Sequence, residues 1–264
     1  MAKDPGRLEV IFLGTGTSHG VPMIACDCPV CRSDDPRDRR NRASLAVRSA
    51  DGRVILIDAA PELRLSSVAC GLDRVDAVLF THSHADHIMG LDDIRRFNDV
   101  ARAAIGCYGS AGTVRRLREV FSYTEVAYEK TPANRPSLRF EVIDGAREIC
   151  GLEVTPVPLL HGTAEVLGFR IGGLAYCTDC SAIPADSWSL LEGLDLLVLD
   201  ALRHTPHPTH FTLGEAIEAI GRLHPGRALL THMTHELAHE ATGASLPPGI
   251  SLAYDGLKVS VRPE

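Results

Sequence analysis

Short runs of β-branched and other apolar residues recur along the whole chain, and each is bounded by polar residues, glycine or proline. Apolar runs of about four to eight residues between turn-forming residues predict buried β-strands. We expect strands at residues 8–13, 45–48, 54–57, 77–80, 140–143, 154–159, 168–171, 196–199, 228–230 and 257–261. Strand patterns therefore dominate both halves of the chain.

Amphipathic stretches lie between the strands, and the clearest of them predicts a helix over residues 213–223. Its apolar side chains share one helical face: Leu213, Ala216, Ile217, Ile220 and Leu223. Thr212, with Glu215 three residues later, forms a capping-box pattern at the start of the helix. The sequence His224-Pro225-Gly226 predicts its end.

The alternation of strand and helix patterns predicts the α/β class, with two sheets covered by helices. No linker, low-complexity tract or internal repeat divides the chain, so we predict a single domain over residues 1–264. Residues 130–137 include two prolines and predict a surface loop.

Composition narrows the functional classes. The chain has 264 residues, of which 45% are hydrophobic, so it can bury a full core. Its formal net charge of −7 argues against a dedicated nucleic-acid surface, which normally carries excess positive charge. No apolar run is long enough to span a membrane, and the first residues lack the apolar segment of a signal peptide. We expect a cytoplasmic protein without membrane contact, whose eight cysteines are thiols or metal ligands rather than disulfides.

The segment 81–87 is the most informative polar stretch, because His82, His84, Asp86 and His87 lie together directly after a predicted strand. Imidazole and carboxylate are the ligands that Zn²⁺ and similar ions prefer. Ligand-type side chains also follow three other strand patterns: His161, Asp179 and His232. Polar side chains at the ends of several strands build a site on one rim of a sheet protein.

The run His82-Ser83-His84-Ala85-Asp86-His87 matches the HxHxDH signature of the metallo-β-lactamase superfamily, which the chain resembles. The resemblance implies an αββα four-layer sandwich over nearly the whole chain. It also implies a ligand set: His82, His84 and His161 for one metal, Asp86, His87 and His232 for the second, and Asp179 as the bridge. The histidine at position 84 favours a hydrolase over the oxygen-reducing di-iron branch, which typically has glutamate there.

Cys26, Cys28 and Cys31 form a second candidate metal site, a zinc-binding loop at about residues 26–31. A structural zinc site is tetrahedral, so three cysteines need a fourth ligand, and His235 is the candidate. Free thiols are the alternative interpretation. Together with residues 14–22 and 231–235, this loop resembles the PhnP-like phosphodiesterases, which use such cysteines and a histidine for zinc. The coenzyme PQQ-synthesis protein has a similar loop, so the loop alone does not settle function.

The ligand set predicts a mechanism. Two divalent ions, Zn²⁺ or Mn²⁺, about 3.5–4 Å apart can hold a bridging hydroxide that attacks a phosphodiester. The leaving alkoxide then needs a proton from a positioned acid. The resemblance places that acid at His210, and we expect His210 and Asp86 to be the catalytic residues.

The remaining histidines and a group of arginines have weaker functional assignments. His204 and His207 are alternative proton donors, although exposed loop positions are favoured for both. The arginines between residues 37 and 42 alternate with aspartates, which favours a solvated face over a phosphate site. His19 has no assigned role.

The leading hypothesis is therefore a phosphodiesterase acting on small phosphodiesters, such as cyclic ribose or nucleotide phosphates. A nuclease like tRNase Z is the first alternative, and the acidic balance counts against it. A non-hydrolytic biosynthetic or binding protein, similar to the PQQ-synthesis protein, is the second. We expect a small-molecule partner, and the sequence leaves a homodimer open.

Overall fold

The computed structural model of the protein describes residues 6–128 and 135–263. The strands are β1 (Leu8–Gly14), β2 (Ser44–Arg48), β3 (Val54–Ile57), β4 (Ala77–Leu79), β5 (Ile105–Gly109), β6 (Leu138–Val142), β7 (Arg147–Ile149), β8 (Leu152–His161), β9 (Ala164–Ile171), β10 (Leu174–Cys177), β11 (Leu196–Asp200), β12 (Ala228–Thr231), β13 (Ile250–Leu252) and β14 (Lys258–Val261). The α-helices are α1 (Leu63–Cys70), α2 (Ala85–Ile88), α3 (Arg95–Ala101), α4 (Ala111–Val120), α5 (Leu213–Leu223) and α6 (His239–Ser245). The loop predicted at residues 130–137 falls mostly outside the described residues.

The described strands form two seven-stranded sheets with the same internal plan. Their orders are β14-β1-β2-β3-β4-β5-β6 and β13-β12-β11-β10-β9-β8-β7. Strands β3 to β6 of the first sheet and β10 to β13 of the second pair in parallel, and the remaining pairs are antiparallel. Each sheet comes from one half of the chain, except that β14 returns to the edge of the first sheet.

Both faces of the sheets are covered, because apolar residues occupy successive positions along the strands. In β1, Val10 and Phe12 belong to the apolar cluster between the sheets, whereas Ile11 and Leu13 belong to the cluster under the helices of the first sheet. A third cluster lies between the second sheet and α5. Successive side chains of a strand point to opposite faces, so such strands are buried on both sides. The expected αββα four-layer sandwich is confirmed.

Helix α5 has the bounds that its periodicity predicts, and its apolar side chains pack on the second sheet. Its capping box is present: the Thr212 hydroxyl accepts from the Glu215 N–H at 3.1 Å, and the Glu215 carboxylate accepts from the Thr212 N–H at 2.8 Å. His224 ends the helix in a left-handed conformation. Within the described ranges, no helix is long and apolar enough to cross a membrane.

The predicted strands all exist, with ends that shift by a few residues, but the list of predicted strands omitted β5, β7, β10 and β13. Of these, β10 entered the prediction only as the strand pattern before Asp179. Strands β7 and β13 have three residues each, too few to produce a pattern. Strand β5 contains Gly106 and Gly109, which sequence patterns assign to turns. In the fold, Gly106 makes room for Tyr108, whose hydroxyl would lie 2.6 Å from a Cβ at that position.

Candidate active site

Ligand-type side chains from both sheets meet where several strands end. Strand β4 leads into residues 82–87, β8 ends at His161, β10 is followed by Asp179, and β12 is followed by His232. His84 begins the short helix α2, which brings Asp86 and His87 onto the same side of the loop. We call this set of residues the rim: His82, His84, Asp86, His87, His161, Asp179 and His232. The rim therefore joins the two halves of the chain.

Asp179 lies at the centre of the rim. Its Oδ1 is 3.2 Å from His87 Nε2, and its Oδ2 is 3.2 Å from His232 Nε2 and 3.8 Å from His82 Nε2. Asp86 Oδ2 lies 3.3 Å from His87 Nε2 and 3.9 Å from His232 Nε2. One carboxylate thus faces histidines on both sides, which is the position that a shared ligand requires.

Potential ligand atoms in the rim fall into groups within 4.8 Å of one another: Asp86, His87, Asp179 and His232; His82, His84 and Asp179; and His161, Asp179 and His210. The resemblance groups His161 with His82 and His84, and the His161 ring lies 5.7 and 5.2 Å from those two rings. It lies closer to the ring of His210, at 4.7 Å. His161 therefore stands between the first ligand group and His210.

The histidine nitrogens of the rim fit a metal ion. Among the described residues, the Nε2 atoms of His82, His87 and His232 are buried and lack a hydrogen-bond partner. Leaving a buried polar atom unpaired costs about 1–3 kcal/mol. These atoms face carboxylate oxygens without hydrogen bonding to them, and divalent ions bind both kinds of atom.

The electrostatics of the rim favour the metal-binding protonation state at Asp179, His82 and His161, but not at His87 and His232. Burial alone would lower the pKa of His87 and of His232, but the charge of Asp179 outweighs it and raises both above their usual value. Burial lowers the pKa of His161 to about 4 and lowers the pKa of His82 well below its usual range. Burial alone would raise the pKa of Asp179, but the charges of His232 and His87 outweigh it and hold that pKa well below its usual range. Neutral imidazoles and an ionised carboxylate are the ligand forms that coordinate metals.

Two buried carboxylates, Asp58 and Asp200, each accept a hydrogen bond from Nδ1 of a histidine in the site. The sequence analysis missed both. Asp58 follows β3 and accepts from His87 Nδ1 at 2.8 Å and from the Thr81 hydroxyl at 2.8 Å. Asp200 ends β11 and accepts from His210 Nδ1 at 2.7 Å. Such partners fix the tautomer and the orientation of the ring. Each carboxylate directly follows an apolar run, which is the same signal that identified Asp179 and would have found them.

His210 is buried beside the rim, and its surroundings hold it in one orientation. Its ring stacks on that of His232 at 4.7 Å and 12° and meets the His161 ring edge-on at 4.7 Å. Asp200, which holds Nδ1, also accepts from the Cys180 N–H at 2.9 Å, so the carboxylate itself is fixed. Nε2 remains as the His210 nitrogen available for proton transfer.

The other loop histidines differ in exposure. His19 and His204 are exposed, as expected for His204. His207 is only partly exposed, and its ring lies 5.1 Å from that of His210. Its Nδ1 is 3.2 Å from the Thr209 hydroxyl, and burial lowers its pKa. His207 is therefore the alternative donor that lies beside His210.

The arginines between residues 37 and 42 do not form one solvated face. Arg39 is exposed, and Arg37 pairs at the surface with Asp35 at 2.7 Å, as the prediction requires. The prediction is wrong for Arg40, which is only 2% exposed. The alternation of charges could not reveal this, because the partners of Arg40 are distant backbone carbonyls.

Cys26, Cys28, Cys31 and His235 come together in a second cluster, although His235 is more than 200 positions away in the sequence. His235 Nδ1 lies 3.1, 3.3 and 3.5 Å from the three Sγ atoms, in that order. Ligands of a tetrahedral zinc ion at usual bond lengths stand about 3.5 Å apart. The cluster therefore fits a closed tetrahedral site.

Backbone N–H groups in this cluster point at sulfur. The N–H of Cys31 donates to Cys28 Sγ at 3.4 Å and lowers the pKa of the Cys28 thiol to about 7. The N–H of Met23 donates to Cys31 Sγ at 3.3 Å, although burial raises the pKa of Cys31 to about 11. Thiolates are the metal-binding form of cysteine, and such donors stabilise them.

The profile of the beta-lactamase superfamily domain matches residues 53–233, a span that contains the entire rim. The chain belongs to the beta-lactamase superfamily. The resemblance to its metal-dependent members, first drawn from the HxHxDH run, is thus confirmed.

The names of individual relatives indicate different activities. A crystal structure of a diphosphatase from the PhnP family has 43% sequence identity and a TM-score of 0.89, over 96% of this chain and 97% of that chain. An octanoyltransferase of Porphyromonas gingivalis is 36% identical over 96% of this chain, which spans about half (52%) of that protein. Zn²⁺-bound PqqB of Methylobacterium extorquens has 21% identity and a TM-score of 0.76, over 95% and 99% of the two chains, and so shares the fold.

Three residues of the site have a left-handed backbone: Asp58 (φ 61°), Asp179 (φ 54°) and His232 (φ 59°). Each lies just after a strand, where the chain turns abruptly into the loop that follows. For residues other than glycine this conformation costs about 1–2 kcal/mol. The superfamily site is therefore built on strained backbone, which the packed sheets below it hold in place.

Proposed function

We propose that the protein is a metal-dependent phosphodiesterase of small phosphodiesters, with cyclic ribose or nucleotide phosphates as the first candidates. One observation carries this proposal: His210 is buried beside the rim and held by Asp200 at 2.7 Å. Metal ligands alone suit many hydrolases. An oriented proton donor next to them suits a reaction whose leaving group is a poor one.

We assign the rim to two divalent ions, Zn²⁺ or Mn²⁺. His82, His84 and His161 would hold one, Asp86, His87 and His232 would hold the other, and Asp179 would be shared. When bound, such ions supply Lewis acidity toward phosphate oxygens and lower the pKa of water. The Cys26, Cys28, Cys31 and His235 cluster holds a structural zinc in this assignment.

The side chains of the site orient the water and supply the proton. Asp86, whose carboxylate is 12% exposed, stays ionised because its contacts with His232 and His87 outweigh its burial and hold its pKa well below the usual range, so it would accept a hydrogen bond from the incoming water and orient it. His210 donates the proton from Nε2 to the leaving oxygen, because Asp200 holds its Nδ1. His161 and His232, at 4.7 Å on two sides, keep the His210 ring beside the phosphate site.

A small substrate suits the charge of the molecule. The formal net charge of −7 provides no excess of cations for a long polyanion, so we do not propose a tRNase Z-like nuclease. The partner we propose is a small-molecule phosphodiester.

A diphosphatase is the second candidate function, and the 43% identity with a PhnP-family diphosphatase favours it. In a diphosphate ester, the esterified phosphorus also carries two substituted oxygens, one of the ester and one of the anhydride, so the same site suits attack on it with a phosphate as the leaving group. We do not assign octanoyl transfer to this chain, because the match covers about half (52%) of the octanoyltransferase.

The experiment compares substrates whose leaving groups differ in basicity. His210→Ala, loaded with metal, is assayed on bis-nitrophenyl phosphate, on a small diphosphate ester and on a 2′,3′-cyclic nucleotide. Nitrophenolate leaves without a proton, so activity on the first substrate should fall little. Activity on the cyclic nucleotide should fall by about 10²–10⁴-fold, the usual contribution of general acid catalysis.

The matched control is His204→Ala, an exposed histidine of the same loop, which should leave all three activities unchanged. An equal loss on all substrates for His210→Ala would contradict the role of proton donor and point to phosphate binding. A wild-type protein that binds metal and hydrolyses none of them would favour the non-hydrolytic alternative.

A further inference from the structure

Arg40 is a buried cation whose partners are distant in the sequence. Its side chain is fully buried. Nη1 donates to the carbonyl of Thr234 at 2.7 Å, and Nη2 donates to the carbonyl of Leu237 at 2.5 Å. Nη2 also lies 3.4 Å from Asp38 Oδ1. Burying a guanidinium is costly unless it is paired, so these contacts determine where the side chain can lie.

The segment that Arg40 holds contains a residue of one metal site and closely follows a residue of the other. Thr234 follows His232 of the rim by two positions, and His235 of the cysteine cluster lies between Thr234 and Leu237. Asp38 adds a further contact to this segment, because its Oδ1 accepts a hydrogen bond from the N–H of His239 at 2.8 Å. One side chain with its ion-pair partner therefore fixes the backbone from residue 234 to residue 239.

The backbone of Arg40 also closes the cysteine loop. Its N–H donates to the carbonyl of Val21 at 2.7 Å, and its carbonyl accepts the N–H of Val21 at 2.9 Å. The three cysteines lie between these two residues in the sequence. Arg40 thus joins the base of the cysteine loop to the segment that supplies the fourth member of the cluster, His235.

Further backbone hydrogen bonds connect this segment to the rim. Met233, next to His232, exchanges backbone hydrogen bonds with Thr15 and Thr17 at 3.0 and 3.2 Å. The N–H of Thr234 donates to the carbonyl of Leu202 at 2.9 Å, at the start of the loop that carries His210. A displaced Thr234 would therefore disturb both His232 and the loop of His210.

We infer that Arg40 is a positioning residue for the reaction proposed above: by holding the carbonyls of Thr234 and Leu237, it fixes His232 in the rim from the base of the cysteine loop. This inference rests on the proposed function for its catalytic part only. The guanidinium reaches two carbonyls at once because its donors form a planar fork. A lysine ammonium keeps the charge but is a point donor, so it cannot reproduce both contacts.

The test uses cobalt(II) in place of the native ions, because cobalt reports the two sites separately. Thiolate-to-cobalt charge-transfer absorption follows the cysteine cluster, and the further visible d–d absorption that appears once this charge-transfer band has saturated follows the rim. Arg40→Lys and Arg40→Met are compared with Arg39→Lys and Arg39→Met, which change the adjacent exposed arginine. Cobalt affinity, kcat and KM are measured well below the melting temperature of each variant.

Arg40→Lys should keep its circular dichroism spectrum and its charge-transfer band while cobalt affinity of the rim falls by about 10–100-fold, as for other residues that orient ligands. The value of kcat should fall with it while KM changes little, because the displaced group is a ligand rather than a substrate contact. The Arg39 variants should behave as wild type.

If the Arg40 variants have a lower melting temperature but an unchanged cobalt affinity of the rim and an unchanged kcat, the inference is wrong. Arg40 would then contribute to stability only. The same conclusion follows if neither Arg40 variant folds. If the wild type hydrolyses no phosphate ester but Arg40→Lys still weakens cobalt binding at the rim, the proposed function fails and the positioning role stands.

Discussion

At the scale of single residues, similar contacts hold two histidines to which we assign different roles. Asp58 holds Nδ1 of His87 and Asp200 holds Nδ1 of His210, at 2.8 and 2.7 Å. His87 then presents Nε2 to Asp179 at 3.2 Å, as a metal ligand would. His210 instead stacks on His232. The carboxylate fixes the tautomer of each ring, so the proposed roles of ligand and donor follow from what each ring faces: the Asp179 carboxylate for His87 and the His232 ring for His210.

Asp255 makes stability depend on pH. Burial raises its pKa from 3.8 to about 7, despite hydrogen bonds from the Asn41 N–H and the Thr15 hydroxyl. Between about pH 4 and pH 7 the folded protein therefore holds a proton that the unfolded chain releases, and stability falls as pH rises through this window. Asp255→Asn should remove that slope, which amounts to about 1 kcal/mol per pH unit.

Urea unfolding of wild type and Asp255→Asn at several values between pH 5 and pH 8 measures this effect. As pH rises to about 7, the free energy of unfolding of the variant should increase relative to that of the wild type. Above about pH 7 the difference between the two should stay constant. The control is Asp144→Asn, at an exposed position. Parallel curves for wild type and Asp255→Asn would show that Asp255 ionises normally.

Residue chemistry in the sequence was enough to predict which side chains meet, but not what holds them. The rim follows from ligand types at strand ends, and the structure brings His82, Asp179 and His232 together as that rule requires. The cysteine cluster likewise forms around His235. Arg40 could not be assigned from the sequence, because its partners are backbone carbonyls that only the folded chain brings near.

At the scale of elements, the segment between Val21 and Arg40 contains little regular structure, only the short 3₁₀ helix Pro36–Asp38 within it. Its cohesion comes from the cysteine cluster and from the backbone pairing at its two ends. Without a sheet or long helix to stabilise it, this segment depends on side-chain ligation. A metal bound there would contribute directly to folding.

Cys26→Ser should therefore lower the zinc content by about one ion per chain and lower the melting temperature by about 5 °C or more, since 1 kcal/mol corresponds to roughly 2–4 °C at this chain length. Elemental analysis and calorimetry measure the two effects. Cys150→Ser, at a partly exposed cysteine outside the cluster, should change neither. If Cys26→Ser also changes neither, the structural site is wrong.

Elements were predictable from the sequence where periodicity was long enough. Helix α5 has eleven residues and a capping box, and its bounds match the prediction. Strand β5 was missed, because its glycines serve close packing rather than turns. The four-layer arrangement came from the family resemblance, and the pairing order of the strands was not predicted, since periodicity identifies a strand without identifying its neighbours.

At the scale of the whole molecule, the rim spans both sheets. His82, His84, Asp86 and His87 follow a strand of the first sheet, and His161, Asp179 and His232 follow strands of the second. Ions bound at this position would cross-link the two halves of the sandwich. Their effect on stability should therefore extend beyond the site.

Metal analysis of carefully prepared protein should give three ions per chain, two in the rim and one on the cysteine cluster. Removing them with a chelator should lower the melting temperature and speed amide hydrogen exchange at the ends of β4, β10 and β12 together, because the carboxylates and histidines lose their common partner. Adding Zn²⁺ or Mn²⁺ should reverse both changes. Asp179→Ala should reproduce the effect of the chelator at the rim, and a wild-type metal content in that variant would contradict its shared position.

The left-handed backbone at Asp58, Asp179 and His232 has a consequence for anyone who engineers this protein. Glycine and asparagine tolerate that conformation better than aspartate or histidine do. A library sorted for heat resistance in metal-free buffer would reward exchanges at these three positions, and each would remove a group of the site. Thermal selection and catalysis would therefore oppose each other, unless every round of sorting is carried out on metal-loaded protein.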